Sequence, residues 1–93
     1  MPEMYFQVRW PDGSQQRCYS PSLIIEDFLH PEQSYPIAEF VSLSGRALEA
    51  AGERVRERYG FGCAAAARQV AEIERKAAGF AGAGMVTVER FER

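Results

Sequence analysis

Cys63 is the residue best placed to do chemistry. It opens a helical stretch, and the partial positive charge at a helix N-terminus favours a thiolate. It also falls on the apolar stripe of that helix, where a cysteine behaves as a small hydrophobe, so packing competes with reactivity. Tyr19, Ser20 and Ser22 form a hydroxyl cluster. A serine nucleophile needs a base within hydrogen-bond reach, and there is no Ser-x-x-Lys, no nucleophile elbow and no obvious histidine partner. Capping and turn formation account better for these serines. Glu26 and Asp27 are adjacent carboxylates, but neighbouring helical positions point apart and cannot converge on one substrate. His30 is the single histidine and precedes Pro31 in a loop-like context, so it cannot build a multi-histidine metal site. Gly79, Gly82 and Gly84 follow a helix and precede a strand, the reverse of a phosphate loop. Trp10, Tyr35, Tyr59, Phe61 and Phe80 are many aromatics for a short chain. Most suit a core, and some suit a partner surface.

The elements that must position these residues begin with Met4, Phe6, Val8 and Trp10, which alternate with Tyr5, Gln7 and Arg9 as in a half-buried strand. Trp10-Pro11-Asp12-Gly13-Ser14 combines a proline preset for a turn with an aspartate that bonds back and a glycine that accepts positive φ, a hairpin signal. The return strand is Gln15 to Tyr19. Ser20 before Pro21 then suggests an N-cap and a short helix stopped near Pro31, with an extended edge segment over Leu23 to Ile25 as the alternative. His30 to Ser34 reads as a loop.

From Ile37, the residues Phe40, Val41, Ser44, Leu48, Ala51, Val55 and Tyr59 form a stripe at helical spacing, opposite Glu39, Arg46, Glu49, Glu53 and Glu57. The balanced charge marks a solvated face rather than a phosphate-binding one. Gly60 ends that helix. A second runs from about Cys63 to Ala78, with Cys63, Ala66, Val70, Ile73 and Ala77 on its main stripe. Ala64, Ala67, Ala71 and Ala78 form a flatter one that allows a second neighbour. After a glycine-rich connection, Met85 to Phe91 is a β-branched final strand. The expected fold is α+β, one domain over residues 1–93: a small antiparallel sheet of N-terminal hairpin plus C-terminal strand, covered on one face by two helices, with a short helix after the hairpin.

Composition narrows the function classes. Eleven basic and thirteen acidic residues give a net charge of −2, so no field attracts nucleic acid or an anionic membrane. No apolar run is long enough to span a bilayer, the N-terminus lacks signal-peptide character, and a cytoplasmic location is expected. Cys18 and Cys63 are expected to be reduced there, and two thiols are too few for structural zinc. No cofactor, metal or catalytic set is indicated.

Val8-Arg9-Trp10-Pro11-Asp12-Gly13, Cys18-Tyr19-Ser20-Pro21-Ser22, Ser34-Tyr35-Pro36 and Glu53-Arg54-Val55 through Tyr59-Gly60-Phe61-Gly62-Cys63 resemble blocks of a family of small bacterial proteins. The family is described as nitrogen starvation response proteins encoded with a nitrilase in the nitrilase-one cluster. The resemblance implies a setting in nitrile or cyanide assimilation, beside a radical S-adenosylmethionine protein, an acetyltransferase-like protein and a flavoprotein. It brings no catalytic residues. The resulting expectation is a non-catalytic accessory protein that binds a partner, an enzyme of that cluster being the candidate, through a surface drawn from Trp10, Tyr19, Ser22, Tyr59 and Phe61. The alternatives are a small-molecule binder or thiol-dependent enzyme using Cys63, and a structural homo-oligomer. A homodimer is expected from the alanine stripe and the small size.

Overall fold

Alternating apolar residues at the N-terminus do build a strand, and its inward set forms the floor of the core. In a computed structural model describing residues 2–93, β1 spans Met4–Arg9 and β2 spans Gln15–Ser20. A 3-10 helix follows over Leu23–Asp27, then β3 (Ser34–Pro36), α1 (Ile37–Tyr59), α2 (Ala64–Ala78) and β4 (Met85–Glu92). The sheet is antiparallel with strand order β2-β1-β4-β3, so the first and last strands form its central pair. Met4, Phe6, Val8, Cys18, Val86 and Val88 are buried under α1 and α2, with Phe40, Leu48 and Ile73 closing the core from the helical side.

The hairpin turn forms as its residues demand. The Gly13 amide donates to the Trp10 carbonyl at 2.9 Å and the Trp10 amide to the Ser14 carbonyl at 2.8 Å, while Gly13 takes φ +85°. Asp12 accepts from the Ser14 amide at 2.9 Å. Between β1 and β4 the register slips by one residue after Gln7, which pairs with Arg90 while Val8 pairs with Val88. This bulge puts Glu89 beside Arg90 on the sheet face turned away from the helices. There Glu89 accepts hydrogen bonds from Gln7, Arg9 and Gln15, and Arg17 lies 3.5 Å above the Tyr5 ring while donating to Glu92. That face is a polar lattice.

Three local expectations change. The sheet has a fourth strand, β3, inside the segment read as a loop followed by a helix start. Three residues are too few for a visible alternation, and pairing with β4 holds them. Tyr35 turns into the core and its hydroxyl accepts the His30 amide at 3.0 Å. The cap of the short helix is Ser22, not Ser20. The Ser20 hydroxyl is buried and donates to the Ser22 carbonyl at 2.7 Å, leaving the Ser22 hydroxyl to accept the Ile24 amide at 3.3 Å. Cys63 stands at the N-terminus of α2 as expected, as its N-cap. The flatter alanine stripe of α2 is not buried: Ala64, Ala67, Ala71 and Ala78 are exposed, and the buried residues of α2 are Ala66, Gln69, Ile73 and Ala77.

Candidate functional site

The break between the two helices creates the most distinctive surface. Gly60 ends α1 at φ +84°, its amide bonding to the Arg56 carbonyl at 2.8 Å. Such a left-handed residue turns the chain sharply, and the flanking side chains are thrown outward. Tyr59 is 51% exposed and Phe61 is 68% exposed, and Arg58 sits 5.9 Å from the Tyr59 ring. Large apolar side chains this exposed are informative when they adjoin a concavity.

Two concavities meet here. A groove of about 610 Å³ runs between α1 and α2, with Gly45, Leu48 and Gly52 on one wall and Cys63, Ala67 and Val70 on the other. Gly45 and Gly52 widen it, because a Cβ at either position would meet no atom within 4 Å. A smaller hollow of about 210 Å³ lies on the other side of Cys63, lined by Glu3, Tyr19, Pro21, Val55, Tyr59 and Cys63. Cys63 is therefore half-buried between two hollows, and its thiol makes no capping hydrogen bond.

The fold thus brings Tyr19, Tyr59 and Cys63 together, with Phe61 beside them, and sends two proposed surface residues elsewhere. Trp10 is only 2% exposed. Its ring stacks on Phe80 at 5.8 Å, stands edge-on to Phe40 at 5.6 Å and donates its indole N–H to Gln16 at 2.8 Å, so it is a core residue and cannot present itself to a partner. Ser22 is 2% exposed and occupied in capping. The Tyr19 hydroxyl donates to Glu3 at 3.1 Å, and burial together with the Glu3 carboxylate pushes its pKa up to about 12. Burial, helped by the charge of Glu72, likewise pushes the Cys18 thiol up to about 12. Cys18 is inert packing.

Glu26 is tied to Arg93, the Nε donating at 2.9 Å, and this ion pair is on the surface, separate from both hollows. Among the described residues no group of three His, Cys, Asp or Glu side chains could hold a metal ion. Sequence reasoning missed the two helical glycines, although glycines seven residues apart inside an otherwise strong helix are themselves a signal. It also missed Gln69, whose spacing from Ala66 and Ile73 places it on the buried face of α2.

This is a small α+β protein in which two helices cover one face of a four-stranded antiparallel sheet, with an aromatic corner and an open interhelical groove. The chain belongs to the family of the nitrogen starvation-induced protein NitG, whose family model matches residues 5–91. No curated protein is significantly similar to the chain. No solved structure is either.

Proposed function

We propose that this member of the nitrogen starvation-induced family is a non-catalytic accessory protein that works by holding a protein partner against the α1–α2 face. The observation that carries the reading is the exposed pair Tyr59 and Phe61 at the helix break, Tyr59 lining the smaller hollow and Phe61 preceding Gly62 of the groove that also holds Gly45 and Gly52. Aromatic anchors at the edge of a concave, small-residue surface are what recurs at the energetic centre of protein interfaces. The family resemblance suggests an enzyme of nitrile or cyanide assimilation as the partner.

The test is affinity purification of the tagged protein from cells grown on a nitrile or cyanide as nitrogen source, with wild type and a Tyr59→Ala/Phe61→Ala variant side by side. Recovery of a specific enzyme with the wild type and its loss with the variant is the expected result. Equal recovery with both removes the aromatic corner from the interface, and recovery of the protein alone removes the reading.

The position of Cys63 between two hollows favours a second reading, a small-molecule or thiol-dependent site formed with Tyr19. Alkylation of Cys63 no faster than that of a free thiol, with Cys63→Ser fully functional in cells, would remove it. The exposed alanines of α2 support a homodimer through the same helical face, since small residues permit close helix approach. Light scattering showing monomer only at working concentration would refute that arrangement.

A further inference from the structure

The hairpin register determines which backbone groups of β2 are free. In an antiparallel ladder the directly opposed pairs alternate between bonded and non-bonded. The Trp10 amide bonds to Ser14, so the pairs Val8 with Gln16, Phe6 with Cys18 and Met4 with Ser20 are the bonded ones. The N–H and C=O groups of Gln15, Arg17 and Tyr19 consequently point away from β1, at the outer edge of the sheet. The Tyr19 amide does so visibly: it donates to the Gln69 side chain on α2 at 2.9 Å. That contact closes one end of the edge. Toward the hairpin, Gln15 and Arg17 are exposed, and Gln15 with Gln16 borders a groove of about 510 Å³ between β2 and the last turns of α2. The opposite sheet edge offers no equivalent, because β3 has three residues and ends in Pro36, which has no N–H to donate.

The groove has a sign. Arg75 and Lys76 line it with a single acid, Glu72. Two bases against one acid line this groove on a chain of net charge −2. A second copy of the chain fits poorly, since two-fold pairing of β2 edges would bring Arg17, Arg75 and Lys76 toward their own copies.

We infer that the β2 edge and the Arg75–Lys76 pair near the end of α2 form a docking groove for an extended, acidic segment of a partner protein, added as a fifth strand beside Gln15 and Arg17. Main-chain hydrogen bonds to Gln15 and Arg17 hold the segment, and carboxylates at alternate positions reach Arg75 and Lys76. The Gln69 contact with Tyr19 limits how far the added strand extends. This surface is at the other end of α2 from Cys63 and is independent of the Tyr59–Phe61 corner.

The probe is a fluorescein-labelled peptide of alternating Glu and Thr, titrated with the full chain by fluorescence anisotropy. Saturable binding is expected, with affinity about tenfold lower for Arg75→Glu/Lys76→Glu, the loss that follows from reversing two partly solvated charges. A version of the peptide N-methylated at alternate amides should not bind. On adding the unmodified peptide, amide hydrogen exchange at Gln15 and Arg17 should slow while that at Tyr19 stays unchanged. The inference is overturned by absence of saturable binding, by undiminished affinity of the charge-reversed variant or the N-methylated peptide, or by protection of the same amides through self-association without peptide. The N-methylated peptide leaves the protein untouched, so folding of the variant does not limit the test.

Discussion

Replacing Gly45 and Gly52 by alanine should make the protein more stable and, on the accessory reading, less able to hold its partner. Both glycines lie inside α1, and neither has an atom within 4 Å of where a Cβ would be. Alanine is better than glycine in a helix interior by about 0.5–1 kcal/mol, because glycine loses more backbone freedom on folding. The two positions are seven residues apart, roughly 10 Å along the axis, so their effects should add to about 1–2 kcal/mol. Unfolding entropy for a chain of this length is about 0.2 kcal/mol/K, which converts the double substitution into a rise in Tm of roughly 5–10 °C. Thermal and urea denaturation followed by circular dichroism would read it, with the urea slope unchanged. A fall in stability would refute the reasoning, since it would mean that the glycines already pack closely within the chain. A rise in stability with undiminished partner recovery would separate the glycines from the interface.

Gly84 should behave in the opposite way: at φ +103° a Cβ would come within 2.7 Å of Pro11, so Gly84→Ala should destabilise by more than about 2 kcal/mol, whereas Gly60→Ala, with open space around it, should lose only about 1 kcal/mol in the same denaturation assay. Trp10→Ala should lose about 3–5 kcal/mol and unfold or loosen the chain, a loss measurable as a lowered urea midpoint. Alkylation at pH 8 should label Cys63 in the native protein and Cys18 only after denaturation, because Cys18 is fully buried and its thiol is pushed up to about 12; mass spectrometry showing both labelled in the native state would contradict the core packing. Glu89 feels burial that would raise its pKa, but hydrogen bonds from Gln7, Gln15 and Arg9 outweigh it and lower the carboxyl below its usual value. Its stabilising contribution is therefore present above the unfolded value near pH 4.5 and disappears as pH falls through the folded one, so Glu89→Gln should flatten the acid limb of an equilibrium unfolding series.

Where one physical signal dominated, the sequence was readable. The alternation from Met4 to Trp10, the turn at Pro11 to Gly13 and the long stripe from Ile37 each express a single period or a single backbone demand, and each element stands where that demand puts it. β3 was illegible because its evidence is a partner strand 50 residues away rather than anything in Ser34–Pro36. Ser20 and Ser22 compete for one cap, and only the buried strand end decides between them. Trp10 carried two conflicting hints, an aromatic suited to an interface and a place in the inward set of a strand, and the strand prevailed. Tyr59, Phe61 and Cys63 are near neighbours in sequence, so their grouping was visible; the arrival of Tyr19 beside them depends on how β2 lies against the start of α2, which no local pattern encodes.

The pairing of β1 with β4 has a consequence for how the protein comes into being. β1 occupies the middle of the sheet, yet one of its two neighbours, β4, is separated from it in sequence by all the other elements. Until β4 docks, β1 can form only the hairpin with β2, and a lone hairpin with one apolar face is marginal in water. Completing the sheet therefore requires closing the loop that joins β1 to β4 through every other element, a long-range step of the kind that slows folding. During that interval the inward face of β1, with Met4, Phe6, Val8 and Trp10, is open to other nascent chains.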